Sequence, residues 1–199
     1  MNTKISRAGA ALLVTILLVA CGSTPQSNHY LLTSMIDEVP SGGSPSLGVG
    51  PVDIPEYLNR DSMVYRVGDN QLQITSSERW AEPLGDGVSR VLSLNLASLL
   101  NTGDIQTFPF HPRRKPDFGV KLRVHSLDSR DSSARLVAEW LLYRPANGDP
   151  LQRRLTTLET SLNPQQAIPG QIPGAYSELL WQLSQEIAAS INSQLAPTK

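Results

Sequence analysis

Two stretches of this chain repeat apolar residues every three or four positions, and several shorter ones alternate them. From Asp86 to Leu100, entered through Leu84, the residues Leu84, Val88, Val91, Leu92, Leu96 and Leu99 fall on one helical face. Asn101-Thr102-Gly103 supplies the stop. Near the C-terminus, Tyr176, Leu179, Leu180, Leu183, Ile187 and Ile191 repeat that spacing within a run of Ala, Ser and Gln, so a second amphipathic helix is predicted there.

Alternation marks the strands. A short one is expected at Asn28–Thr33, and another over Leu47–Ile54, where the phase change at Gly50-Pro51 suggests a bulge or an edge position. Pro55–Arg60 reads as a turn. Ser62–Val67 and Gln71–Thr75 form a hairpin about Gly68-Asp69-Asn70, with Leu72 and Ile74 on the half-buried side. Three longer strands follow: Asp117–Ser126 (Val120, Leu122, Val124 on one face), Ala134–Arg144 (Leu136, Ala138, Trp140, Leu142) and Leu151–Leu162. Asn147-Gly148 joins the last two. Loops are expected at Pro40–Pro45, at Phe108–Lys115 and at Asn163–Gly174, which holds the near-duplicate Ile168-Pro-Gly-Gln-Ile-Pro-Gly174. The pattern predicts an α+β fold, a mainly antiparallel sheet with two amphipathic helices packed on one face. Trp80 and Trp181 are the aromatic residues expected to anchor the core or an interface.

Before all this stands a different pattern. Lys4 and Arg7 precede an apolar run from Ala8 to Ala20, and Leu18-Val19-Ala20-Cys21 ends it at the only cysteine. About 13 residues cannot cross a hydrocarbon core that needs about 20, so the run reads as a signal peptide. A branched aliphatic, two tolerated residues and Cys make a bacterial lipobox. Cleavage between Ala20 and Cys21 is expected, with diacylglycerol on the Cys21 thiol and a third acyl chain, palmitoyl, on the new amino group. The plainer reading is an ordinary signal followed by a free cysteine. Each acyl chain contributes on the order of 10 kcal/mol at about 0.8 kcal/mol per methylene, and stable anchoring needs two such signals. The expected organisation is residues 1–20 signal peptide, 21–28 lipidated tether, 29–195 one α+β domain and 196–199 tail. Gly22, rather than Asp, follows Cys21, which by the sorting rule of enteric lipoproteins sends the chain to the outer membrane.

Charge changes little. The chain has 17 basic and 18 acidic residues, and loss of Lys4 and Arg7 with the signal makes the remainder slightly more acidic, so no nucleic acid partner is expected. With Cys21 acylated no thiol remains for disulfides or cysteine-based metal sites. Arg113-Arg114-Lys115 is a basic run that could touch lipid phosphates or an acidic partner, the alternative being a solvated loop. Gly48-Val49-Gly50 is a poor phosphate loop, because the third glycine is missing and Pro51 removes a donor. Gly-x-Ser-x-Gly, His-Glu-x-x-His and Walker motifs are absent. His29, His111 and His125 are scattered, and Glu78, Glu82 and Asp86 flank a helix start, where the dipole favours negative charge. No catalytic, cofactor-binding or metal site is nominated, and no enzyme activity.

Several segments together resemble the ABC-type transport auxiliary lipoproteins. They are the lipobox at Cys21, His29-Tyr30-Leu31-Leu32, Val49-Gly50-Pro51-Val52-Asp53-Ile54-Pro55-Glu56-Tyr57-Leu58, Met63-Val64-Tyr65-Arg66, Trp80-Ala81-Glu82-Pro83-Leu84, Glu139-Trp140-Leu141-Leu142 and the helix carrying Trp181. The resemblance implies a non-enzymatic lipoprotein of the outer membrane, facing the periplasm, in an MCE-type system for phospholipid transport between membranes. Its implied partners are a periplasmic MCE-domain protein and, through it, an inner-membrane permease or ABC transporter. The lipoprotein docks the far end of the MCE tube, as a homo-oligomeric ring. Rival readings are a carrier of single lipids, which needs an apolar cavity of a few hundred Å³, an envelope hydrolase with a divergent site, and a purely structural envelope lipoprotein.

Overall fold

A computed structural model describes residues 26–36 and 38–196. The expected signal peptide, Cys21, the start of the tether and the last three residues lie outside the described residues. In chain order come β1 (Asn28–Tyr30), β2 (Leu47–Asp53), a 3-10 turn (Glu56–Leu58), β3 (Ser62–Arg66), β4 (Leu72–Trp80) and α1 (Leu84–Leu100). Then follow β5 (Ile105–Thr107), β6 (Phe118–Arg130), β7 (Ser133–Arg144), β8 (Asp149–Ser161) and α2 (Ile168–Leu195). The class is α+β.

Alternating apolar residues build the larger sheet, of order β5-β2-β6-β7-β8. Val120, Leu122 and Val124 of β6, and Leu136, Ala138, Trp140 and Leu142 of β7, are all 3 % exposed or less and face the helices. Their intervening neighbours point the other way. β6, β7 and β8 are antiparallel, whereas β2 runs parallel to both β5 and β6. Parallel neighbours need a long crossover, and the chain between β2 and β5 supplies one through α1, which packs over both strands. The phase change at Gly50-Pro51 is a bulge: the register with β6 shifts between Val49 and Val52, with Gly50 at φ +114°. β2 is an inner strand, and not an edge, because β5 covers its other side.

The hairpin is present and β4 is longer than expected, reaching Trp80. It does not join the large sheet. β1, β4 and β3 make a separate three-stranded sheet, with β1 parallel to β4. Ile74, expected on the half-buried side, is 47 % exposed; this part of the hairpin has solvent, not the main core, beside it.

Both helices lie on one face of the large sheet, α1 over β2 and β5, α2 over β6, β7 and β8, and against each other. α1 buries Leu84, Val88, Val91, Leu92 and Leu96 as its spacing requires. It ends at Asn101 in the left-handed conformation (φ 47°, ψ 50°), so asparagine rather than Gly103 makes the turn. The expected loop at Asn163–Gly174 is corrected in its second half, since Ile168–Gly174 opens α2. Pro169 sits in the first turn, where an amide has no intrahelical acceptor. Pro173 forfeits one bond, and burial of Ile172, Pro173, Ala175 and Tyr176 outweighs it. Gln171 fastens the start, accepting the Asn163 amide at 2.7 Å and donating to its carbonyl at 3.0 Å.

Candidate functional site

Tyr57, Arg66 and Trp80, from three of the segments that carry the family resemblance, meet Tyr176 of α2 and the end of β6 at one junction. At its centre the Asp128 carboxylate accepts the Tyr57 hydroxyl at 2.9 Å on one oxygen and the Arg66 guanidinium at 2.8 Å on the other. Tyr57 is held there by the 3-10 turn that follows Pro55, and Arg66 by the end of β3. The Tyr57 oxygen also accepts the Leu127 amide at 3.4 Å, and the Leu127 carbonyl accepts the Tyr176 hydroxyl at 3.0 Å. Tyr176 stacks on Trp80 with ring centroids 6.2 Å apart. Burial, and then the Asp128 charge, push the Tyr57 phenol far above its ordinary range, and burial does the same to Tyr176. The hydrogen bond to Asp128 raises Arg66. These contacts tie the 3-10 turn, β3, β6 and α2 together at one point.

A strap continues from this joint. After β1, the Leu32 carbonyl accepts Arg90 at 2.9 Å, the Thr33 amide donates to Ser177 at 3.0 Å, the Met35 amide to Asn95 at 3.0 Å and the Ser41 amide to Asn101 at 3.1 Å. Residues 31–36 and 38–42 are therefore held against α1 and, through Ser177, α2, with Leu31, Met35 and Val39 exposed. Trp80 is a core anchor at 6 % exposure, whereas Trp181 is half-buried. The largest wholly buried side chain is Trp140, whose indole N–H donates to Thr156 at 3.1 Å.

The carboxylates grouped at a helix start separate into different tasks. Asp86 lies in the first turn of α1. Glu82 instead pairs with Arg90. Glu78 lies in β4 and accepts from Asn28 at 3.0 Å; hydrogen bonds from Tyr30 and Asn28 hold its carboxyl below the usual range. Their spacing in sequence matched a helix N-terminus, but β4 extends to Trp80 and carries Glu78 away. His29, His111 and His125 lie on β1, on the loop before β6 and on β6, all exposed. Among the described residues no group of three metal-ligand side chains is found. The basic run folds back on its own chain: Arg114 pairs with Asp104 at 2.8 Å and Lys115 donates to the Ala146 carbonyl at 3.3 Å.

Several clefts open on the surface. On the sheet face away from the helices, Asp53, Arg123, Glu139 and Arg153 form a ladder of charges across β2, β6, β7 and β8, with contacts of 3.6 Å (Asp53–Arg123) and 2.5 Å (Glu139–Arg153). With Lys121 and Leu141 they frame a cleft of about 310 Å³. A second, about 450 Å³, lies beside the bulge between Pro51, Ile54, Pro83 and Phe108. A third, about 510 Å³, lies between Tyr30, Tyr65, Ile74 and the start of α2. The Tyr57–Asp128–Arg66 convergence had no sequence signal, since Asp128 sits about 60 to 70 positions from its partners.

Against known proteins, residues 30–188 match the family described as the ABC-type transport auxiliary lipoprotein component. The intermembrane transport lipoprotein PqiC of Escherichia coli (strain K12) is 25 % identical over 130 residues, 63 % of this chain and 68 % of that one. Two crystal structures share the fold. An uncharacterized protein superposes with a TM-score of 0.63 at 23 % identity, over 83 % of this chain and 99 % of its own. Protein XCC0632 from Xanthomonas campestris superposes with a TM-score of 0.68 at 15 % identity, over 85 % and 98 %.

Proposed function

This chain belongs to the ABC-type transport auxiliary lipoprotein component family, and on that premise we propose that it is the outer-membrane lipoprotein of an MCE-type lipid transport system. It is held by diacylglycerol and palmitoyl groups on Cys21 and docks the far end of a periplasmic MCE-domain tube as a homo-oligomer. The MCE protein links it to an inner-membrane permease or ABC transporter. The observation that carries this reading is the family match across residues 30–188, which spans both sheets and both helices up to Ala188. The likeness to PqiC, an intermembrane transport lipoprotein, supports a role in transport between membranes.

The carrier reading is less favoured. The clefts beside Asp53, beside the bulge and beside Ile74 are open at the surface and bordered by polar side chains, whereas a lipid tail needs an enclosed apolar chamber. Proteins captured on the full-length chain from a membrane extract should include an MCE-domain protein. Its repeated absence, with a lipid retained by each monomer in native mass spectrometry, would turn the reading to a carrier. Metabolic labelling with a clickable fatty acid should mark the chain at Cys21, and a Cys21→Ala variant should fold normally and lose transport. An unlabelled Cys21, or a fully active unanchored variant, would remove the anchor from the mechanism.

A further inference from the structure

A lipid on Cys21 holds the chain at one point, and the seven peptide steps from Cys21 to Asn28 reach at most roughly 25 Å when extended. β1 begins at Asn28, and the strap follows it directly. Leu31, Met35 and Val39 of the strap are exposed, Val39 at 87 %, and so is Leu94 of α1. Leu94 stands one turn on from Arg90, which holds Leu32, and next to Asn95, which holds Met35, so it belongs to the same strip. Four large apolar side chains in contact with solvent thus gather along α1, a helix of 17 residues and about 25 Å.

The strip is pre-organised. Hydrogen bonds from Leu32, Thr33, Met35 and Ser41 to α1 or α2 fix the strap backbone, so little further ordering is needed when its apolar side chains meet a surface. Residues 30–42 include no lysine or arginine, and Glu38 is exposed among them. Anionic headgroups therefore offer the strap no attraction, and what it presents to a bilayer is apolar area.

We propose that Leu31, Met35, Val39 and Leu94 form a second contact with the lipid surface, entering the boundary between headgroups and acyl chains to a depth of about 5–10 Å. This rests on the lipoprotein reading above. A tether alone leaves the body free to turn. A strip that starts beside the tether and continues along α1 sets the helix axis in the membrane plane, and the body then holds one orientation toward a partner reaching across the periplasm.

Attached dyes test the depth. With Cys21 acylated, Met35→Cys, Val39→Cys and Leu155→Cys each present a single thiol for an environment-sensitive fluorophore. The lipidated full-length chain is reconstituted in vesicles of phosphatidylethanolamine and phosphatidylglycerol. Dyes at positions 35 and 39 should emit at shorter wavelength and be quenched by lipids brominated on their acyl chains. The dye at position 155, which is 65 % exposed on the large sheet, should do neither. Replacing phosphatidylglycerol by phosphatidylcholine, or adding salt, should leave the quenching unchanged. Leu31→Ser together with Val39→Ser should leave the chain anchored, and folded by thermal unfolding, yet free the dye at position 35 from the quencher. Water-like emission at positions 35 and 39, or a dye shielded from water but not quenched, as beneath a protein partner, would overturn the proposal. A wild-type chain that takes the dye would show Cys21 unacylated and defeat the anchor. Quenching at positions 35 and 39 in a Cys21→Ala background would even then uphold the lipid contact, so the two failures read apart.

Discussion

Replacing Tyr57 by Phe removes one oxygen from the joint and leaves the ring in place. The lost bond runs at 2.9 Å to a carboxylate whose side chain is 14 % exposed, and bonds to charged acceptors contribute about 1.5–3 kcal/mol. Asp128 keeps Arg66 at 2.8 Å, which holds the loss near the lower end, about 1.5–2 kcal/mol. Arg66→Met, with the guanidinium 28 % exposed and partly screened by solvent, should cost about 1 kcal/mol. The double variant strips Asp128 of both partners, so its loss should exceed the sum by about 1 kcal/mol. Adding Asp128→Asn to it should recover stability, because no uncompensated charge remains. Urea unfolding followed by circular dichroism measures all four, and Tyr57→Phe should lower Tm by about 3–8 °C. A Tyr57→Phe loss below about 0.5 kcal/mol, or strictly additive losses, would refute the view that this junction locks the small sheet to β6.

Tyr57 and Tyr176 have folded-state phenols raised above the unfolded value of about 10. Their contribution to stability is therefore complete below that value and is lost as pH rises above it. In an alkaline titration, phenolate absorbance from these two should appear only as the circular dichroism collapses; five phenolates in a still-native chain would contradict this. The carboxyl of Glu78, shifted the other way, stabilises at neutral pH and ceases to do so as pH falls through its lowered value. Glu78→Gln should thus lessen the acid sensitivity of the contact between β1 and β4, read by hydrogen exchange at Tyr30 and Trp80; an unchanged pH profile would count against it. A methyl added at Gly42 would lie 2.1 Å from the Asn101 carbonyl oxygen, whereas one at Gly43 meets nothing within 4 Å. Gly42→Ala should cost about 1–3 kcal/mol in thermal unfolding and Gly43→Ala less than about 0.5; equal effects would show that the strap does not press on the helix cap.

The local pattern was sufficient wherever one element faces one core. Leu84, Val88, Val91, Leu92 and Leu96 repeat at a helical period and are buried at that period. Val120, Leu122 and Val124 alternate with polar residues and are buried, while Lys121 and Arg123 between them are exposed. Gly50-Pro51 broke the alternation and broke the ladder with it.

Other features depended on pairing between distant segments, which short-range periodicity does not encode. Ile168–Gly174 carries two prolines and two glycines, all signs of a loop, yet burial of Ile172 and Tyr176 against the sheet holds it helical. The hairpin strands were readable, but their separation into a second sheet was not, nor was the tie of that sheet to β6 through Asp128, Tyr57 and Arg66, which nothing in the neighbourhood of any of the three announces. The sequence by itself determined the apolar faces of both helices and of β6 and β7. Tertiary structure decided which strands share a sheet, that β2 runs parallel to its neighbours and that β8 is left as the edge. Those choices are settled by the free energy of long-range burial and hydrogen bonding, and that sum exists only once the whole chain has come together.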